Sequence, residues 1–323
     1  MHRILAVAVG VNKDKSAPVM RDLIKSERVK EVRPYVAGLI AGLERLGHKC
    51  GVDFEIDYAT SEPSGLKKLI KAAIDEKKPD AIFAMSTSAV KAAMSVTKDI
   101  SIVFPSISDP VDDGVVKSCG VPGKNATGTR AMRRQTADEC LELFKATVPS
   151  LRKVYAFHKP NYGPSIRAMA SLKRAAKLAR VTFSPVLVKT HKEIAAKLAG
   201  ISQTGPAGKP EVGVLVMPDD LVLSAWREIS EVAQEKKLPT FFPVTDWVKA
   251  GGPGPLAGFG IPQATCGEAA AHHMHKVLNG VPAKDIPVKR AGGFEWAVSK
   301  TVAHAIGISL PDSVIKAADR VVG

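Results

Sequence analysis

The sequence predicts an α/β protein built as two doubly wound lobes. Short apolar runs alternate with helical periods along most of the chain, the order that a parallel sheet with covering helices produces. The alternation begins again after Arg130, so one wound unit is followed by another of similar size. A length of 323 residues is long for one hydrophobic core and comfortable for two.

Ile4 to Gly10 reads as the first buried strand of a parallel sheet, an uninterrupted apolar run. With Met1-His2-Arg3 before it, the run faintly resembles a short signal peptide. It sits at the short limit for such a segment, and no small-x-small cleavage site follows cleanly. The expectation is that a secretion signal was removed from this sequence or was never present. Residues 11–17 are expected as a polar loop and 18–30 as a short helix. A clearer helix runs from Pro34 to Leu46 and ends at Gly47. Phe54 to Tyr58 alternates as a strand, and residues 64–76 carry Leu66, Leu69, Ile70, Ala73 and Ile74 on one helical face. The apolar runs Ala81 to Met85 and Ile100 to Phe104 are strands, with a helix from Ala89 to Thr97 between them.

In the second half, helices are expected over 136–147, from the end of the His158–Ser165 loop to Arg180, over 192–201 and after Asp220 through Lys236. Strands are expected over 153–157, 181–189, 212–216, 239–242 and 256–261. After the Gly/Pro-rich Gly251 to Pro255 come a helix over 266–278, an extended stretch over 289–298 and a helix over 299–306. A last helix starts at Pro311 and runs to Val321.

The chain is organised around Asp80 to Gly128. Two consecutive strands there stop at Ser86-Thr87-Ser88 and at Ser106-Ile107-Ser108-Asp109-Pro110. Ligands of open α/β sheets sit at that carboxyl edge. Hydroxyls opening a helix, beside backbone N–H groups, suit a carboxylate or phosphate. Read alone, Ser86-Thr87-Ser88 is a plain helix cap; two polar strand ends in a row, one with an Asp, turn the reading towards a binding site. Asp109 either makes an Asx-turn before Pro110 or accepts hydrogen bonds from a ligand ammonium. Asp219 stands at the equivalent place in the second lobe, where neighbouring Asp220 could serve instead.

Composition narrows the classes of function. Apolar residues make up 45% and charged residues 24%, the balance of an ordinary soluble domain. No apolar run approaches the ~20 residues of a membrane span. Aromatic residues at 5% argue against a base-stacking surface. The net charge of +14 comes from basic residues spread over helix faces, such as Lys173, Arg174, Lys177 and Arg180, so it reads as a solvated basic surface with no nucleic-acid partner. Cys50, Cys119, Cys140 and Cys266 form no CxxC and read as isolated, partly buried thiols.

Several chemistries find no motif. Gly10-Val11-Asn12-Lys13 follows the first strand where a dinucleotide fold needs GxGxxG, and neither GxxxxGK[ST] nor GxSxG occurs. His272, His273 and His275 read as surface residues of a solvent-facing helix, with no ligand cluster beside them, so no metal or cofactor is expected. Asn125-Ala126-Thr127 fits a glycosylation sequon but reads as a turn closing the first lobe. An enzyme using the same two-lobe cleft would need paired titratable groups, and only scattered carboxylates appear. A ligand-sensing regulator would need an output domain.

Read in sequence, the strand, Ser86-Thr87-Ser88-Ala89 and a helix, then Ile102-Val103-Phe104, Ser108-Asp109-Pro110-Val111 and Pro122-Gly123-Lys124-Asn125-Ala126-Thr127-Gly128, closely resemble the ABC transporter substrate-binding family that includes tryptophan-, tyrosine- and phenylalanine-binding proteins. Asn161 to Ser165, Pro218-Asp219-Asp220, Gly280 to Pro287 and the ending from Ile306 extend the resemblance over nearly the whole chain. Three features depart from the family pattern: the length of 11–32, the Gly251 to Pro255 segment, and Val298 where Asn is common.

The resemblance implies two Rossmann-like lobes joined by a multi-strand hinge, the type I periplasmic binding fold. The lobes would comprise residues 1–128 with about 256–286, and 129–255 with about 287–323. It implies a non-enzymatic, monomeric solute-binding component of an ABC importer. Such a protein would be periplasmic or lipid-anchored outside the inner membrane, with a cytoplasmic location left open. Its partners would be a small amino acid-like carboxylate, captured in the interlobe cleft, and an inner-membrane permease. Carried over by position, Ser86, Thr87 and Ser88 would hold the ligand carboxylate, with Ser108 and Asp109 beside them. Tyr162, Ser165 and Asp219 would close from the second lobe.

Overall fold

The computed structural model describes residues 1–9, 34–131, 137–249 and 251–323. The expected loop and helix over 11–30 lie outside the described residues. Two compact units emerge, Met1–Met132 with Gln263–Gly292 and Arg133–Pro262 with Gly293–Gly323.

The first stretch runs β1 (His2–Val9), α1 (Pro34–Arg45), β2 (Phe54–Ser61), α2 (Leu66–Lys77), β3 (Ala81–Ala84), α3 (Thr87–Val96), β4 (Ser101–Ile107) and β5 (Ala126–Arg130). The second stretch runs α4 (Ala137–Thr147), β6 (Lys153–His158), α5 (Gly163–Leu178), β7 (Thr182–Leu187), α6 (His191–Ala199) and β8 (Val212–Val216). It continues through α7 (Asp220–Ser224), α8 (Trp226–Glu235), β9 (Thr240–Phe242) and β10 (Ala257–Gly260). The chain returns to the first unit for α9 (Gln263–Leu278) and β11 (Lys289–Arg290). It then ends in the second with β12 (Glu295–Ser299), α10 (Lys300–Ala305), α11 (Asp312–Ala317) and β13 (Arg320–Val322).

In the first unit the sheet order is β11-β5-β4-β3-β1-β2, with every pair parallel. A sheet covered on both faces needs apolar residues at every position, and β1 and β3 show how they are divided. Ile4, Ala6, Ala81 and Phe83 join one core with α1 and α9; Leu5, Val7, Ile82 and Ala84 join the other with α2 and α3. Successive residues of a strand point to opposite faces, which is why one uninterrupted run feeds two cores. The second unit has the order β13-β12-β10-β9-β8-β6-β7, parallel except for the antiparallel β10–β12 pair. There Val212, Val214 and Val216 face one core, and Leu215 faces the other.

Sheet membership moves the expected lobe boundaries. The segment from about 256 pairs with β9 and β12 and belongs to the second unit, so the chain returns only at Gln263. The stretch expected as one extended piece over 289–298 is two strands in different sheets: β11 pairs with β5 and β12 with β10. Of Asn125-Ala126-Thr127, expected as a turn, the last two open strand β5 beside β4. Asn125 precedes it and donates through its side-chain amide to the carbonyls of Thr97 and Ile100, at 3.0 and 3.1 Å. The helix expected to reach Val321 stops at Ala317, because Arg320–Val322 pairs with β12. Arg320 holds that end, donating to Glu295 and to the Thr245 and Val248 carbonyls. The helix expected after Asp220 through Lys236 starts at Asp220 itself and breaks at Ala225 into α7 and α8.

Candidate functional site

In the first unit β3 and β4 run parallel in register, Ile82 opposite Ile102 and Phe83 opposite Val103, so their carboxyl ends leave on one edge. Ser86 follows β3 and caps α3. Its hydroxyl accepts the Ala89 N–H at 3.1 Å and its carbonyl accepts the Val90 N–H at 2.9 Å. Thr87 and Ser88 form the first turn, where the helix geometry supplies no carbonyl four residues back to their N–H groups. The Thr87 side chain is buried, with its hydroxyl 3.5 Å from Asp113 Oδ2, at the outer limit of a hydrogen bond. Ser88 is half-buried.

After β4 a register shift between Phe104 and Ile107 kinks the strand end. Ser108 is buried and Asp109 half-buried. The Asp109 carbonyl accepts the Asp113 N–H at 2.9 Å, and the Pro110 carbonyl accepts the N–H groups of Val115 and Val116. These turns hold the loop on the sheet edge and carry the buried Asp113 towards Thr87. Ser106, part of that polar strand end but not among the residues expected to hold a ligand, has a buried hydroxyl with no hydrogen-bond partner. A buried hydroxyl of that kind calls for an explanation; its signal was the hydroxyl-rich run itself. Unit one therefore gathers Ser86, Thr87, Ser88, Ser106, Ser108 and Asp109 at neighbouring ends of adjacent strands.

In the second unit β6 and β8 are neighbouring parallel strands, and their ends bring Lys159 to Asp219 and Asp220. Asp219, expected to face a ligand, is fully buried. Its Oδ1 accepts from Leu221 N–H at 3.1 Å and Val222 N–H at 3.3 Å. Its Oδ2 accepts from Lys159 N–H at 2.8 Å and the Ser165 hydroxyl at 3.1 Å. Four internal donors occupy this carboxylate, so Asp219 and the fully buried Ser165 tie the strand ends to α5 and α7 and leave a ligand to other groups. Burial first, then the Asp220 carboxylate, push Asp219 above the usual carboxylate range. The Lys159 N–H and ammonium and the Val222 N–H pull it back.

Asp220 differs. Its side chain is 4% exposed; Oδ1 forms an ion pair with Lys159 Nζ, and Oδ2 is buried without a donor. Tyr162, just ahead of α5, lies with its ring centroid 4.2 Å from Lys159 Nζ. Lys159 and Asp220 each stand just beyond a strand end, and only the fold shows that they meet.

The three histidines of α9 are not a solvent-facing set. His272 is exposed, but His273 is buried and bonds to the Pro287 carbonyl at 3.0 Å. His275 Nδ1 lies 2.8 Å from His48 Nε2. Helix α9 packs against α1 and the sheet, which explains the difference. Among the described residues no group of three His, Cys, Asp or Glu side chains is arranged to hold a metal, and no helix is long and apolar enough to cross a membrane. What the two edges offer is hydrogen bonding and charge: hydroxyls and helix N–H groups in one unit, a lysine–carboxylate pair on a tyrosine in the other.

Comparison with known proteins places this architecture. The family model described as ABC transporter substrate binding protein matches residues 31–322. A "Tyrosine-binding protein" of Clostridioides difficile (strain R20291) is 30% identical over 272 residues, 83% of this chain and 75% of that protein. A crystal structure of a conserved domain protein from Vibrio cholerae superposes with a TM-score of 0.78 at 23% identity, covering 99% of this chain and 100% of that one. An ABC domain in complex with L-Trp from Streptococcus pneumonia gives 0.76 at 24% identity, covering 99% of each chain. With two α/β units of parallel and mixed sheets and a match over nearly its whole length, the chain belongs to the ABC transporter substrate-binding protein family, with the type I periplasmic binding fold.

Proposed function

We propose that this protein is the solute-binding component of an ABC importer and captures a small amino acid-like carboxylate without chemical conversion. The observation that carries the reading is the pair of adjacent strand ends in the first unit. There the opening of a ten-residue helix at Thr87 and Ser88 lies beside Ser106, Ser108 and Asp109. First-turn N–H groups and hydroxyls are the chemistry that takes a carboxylate. The second unit would close on the ligand with residues of its own sheet edge, Tyr162 among them. Closure of the two units would be favoured only by contacts the open form lacks. A tyrosine-binding relative and an L-Trp complex of the same fold support an aromatic amino acid as ligand. A monomer working outside the inner membrane with a membrane permease, and without nucleic acid, fits the same reading.

The test is mass spectrometry of the solute released on denaturing the purified protein, with a thermal-shift screen of the twenty amino acids and their deaminated acids. One released acid that also raises Tm supports the proposal; a hundredfold excess over Kd adds about 2.7 kcal/mol to stability. A protein that releases nothing, and that no acid stabilises, sinks it.

A further inference from the structure

Among the described residues of the second unit, one carboxylate oxygen is buried without a hydrogen-bond donor. Asp220 Oδ1 is held by Lys159, while Oδ2 is buried with no donor within hydrogen-bond distance. An ionised oxygen shut away from water and left unpaired is costly, because desolvation is not offset. The neighbouring Asp219 cannot share the burden, since its own oxygens already receive four donors.

Lys159 shows what kind of group this corner accepts. Its ammonium sits on a carboxylate oxygen and 4.2 Å from the Tyr162 ring centroid, with its side chain 15% exposed. A carboxylate with an aromatic face beside it is how proteins hold an ammonium. We propose that the Lys159–Tyr162–Asp220 cluster is a selectivity subsite, in which Asp220 Oδ2 takes a protonated amine of the bound solute. Lys159 is its positioning residue: held over the tyrosine, it pins Oδ1 and leaves Oδ2 for the incoming N–H donor. A protonated amine gives that oxygen a charge-assisted hydrogen bond, stronger than the one a neutral hydroxyl offers, so the subsite ranks amines above hydroxyls. The solute is thereby a primary amino acid rather than a simple carboxylic acid. This rests on the reading of the protein as a carboxylate-binding component and narrows it.

The test is calorimetric titration of the intact protein with L-tyrosine and L-tryptophan, and with 3-(4-hydroxyphenyl)propionate and indole-3-propionate, the same acids without the amine. Wild-type protein is expected to bind at least one amino acid tenfold or more tighter than its deaminated partner. Asp220→Asn, which keeps the shape and removes the charge, should collapse that ratio towards one by weakening the amino acid while the deaminated acid binds as before. Asp220→Ser serves as a second variant, with circular dichroism confirming the fold of each. Wild-type protein that binds a deaminated acid as tightly as its amino acid overturns the subsite and leaves the carboxylate reading standing, even if neither variant folds. An unchanged ratio in folded Asp220→Asn does the same. Failure of wild-type protein to bind any of the four, or any other acid of the thermal-shift screen, overturns both.

Discussion

At Asp219 four donors converge on one carboxylate, while Asp220 beside it meets one through Oδ1 and none through Oδ2. The two share a residue type and a place in the chain, so only their surroundings separate a fully satisfied carboxylate from one with an undonated oxygen. His273 is a similar case on α9. Burial lowers its pKa below the ordinary value, against the raising effect of its bonds to the Pro287 and Ala269 carbonyls, with Lys276 and His272 adding to the fall. The shorter bond, to Pro287 at 3.0 Å, fits the neutral ring with its proton on Nε2. The folded ring thus binds its second proton less readily than the unfolded one. Below about pH 6.5 the unfolded chain takes up more protons, and stability falls as pH drops towards the lowered value. His273→Gln removes that dependence. The Tm advantage of wild-type protein over the variant is therefore expected to shrink between about pH 7.5 and pH 5.5, followed by scanning calorimetry. An advantage that grows on acidification would contradict a buried neutral ring.

Helices α1 and α9 approach until backbone meets side-chain position. A Cβ on Gly267 would lie 2.1 Å from the Tyr35 carbonyl oxygen, and one on Gly38 2.0 Å from that of Ala264. At Gly42 the added carbon would meet the Ala271 methyl at 2.5 Å. Glycine is needed here for space, not for backbone freedom. Arg45 and Glu268, at 2.6 Å, and the His48–His275 pair flank this close seam. Gly267→Val must push the helices apart, and overpacking of this kind costs about 1–3 kcal/mol. The expected result is a Tm lower by about 2–4 °C for each kcal/mol, with ligand affinity at the strand ends retained. An unchanged Tm would show that the seam is looser than its distances say.

Each unit is assembled from separated lengths of chain. Helix α9 contributes Ala270, Ala271, Met274 and Leu278 to the core that also holds Ile4, Phe83 and Val103, although it follows the whole second α/β stretch. A chain ending at Pro262 would uncover that face of the first sheet and remove β12 and β13 from the second. Full burial of a large apolar side chain is worth about 1.5–3 kcal/mol, against a total stability of about 5–15 kcal/mol. The shortened chain is expected to lack a cooperative thermal transition by circular dichroism. A sharp melt near that of the intact protein would mean that the units do not depend on the returning segment.

Much of this architecture was legible in order along the chain. Val212–Val216 is a strand with the limits its five apolar residues suggest, and β1 and β3 lie where uninterrupted apolar runs placed them. Strand ends followed by hydroxyls, Ser86 to Ser88 and Ser106 to Asp109, marked one sheet edge, because apolar periodicity and its abrupt stop are local properties. Partnership is not local. That β11 and β12 enter different sheets, that the last residues form a strand, and that Ala126–Arg130 pairs with β4 depended on neighbours far away in sequence. The same holds for the second unit's corner: Lys159 meets Asp219 and Asp220 across 60 and 61 residues. Residue type and spacing settled which carboxylates lie at strand ends. Only the tertiary structure, by converging donors from distant segments on one carboxylate and withholding them from an oxygen of the next, decided which carboxylate is fully satisfied inside the protein.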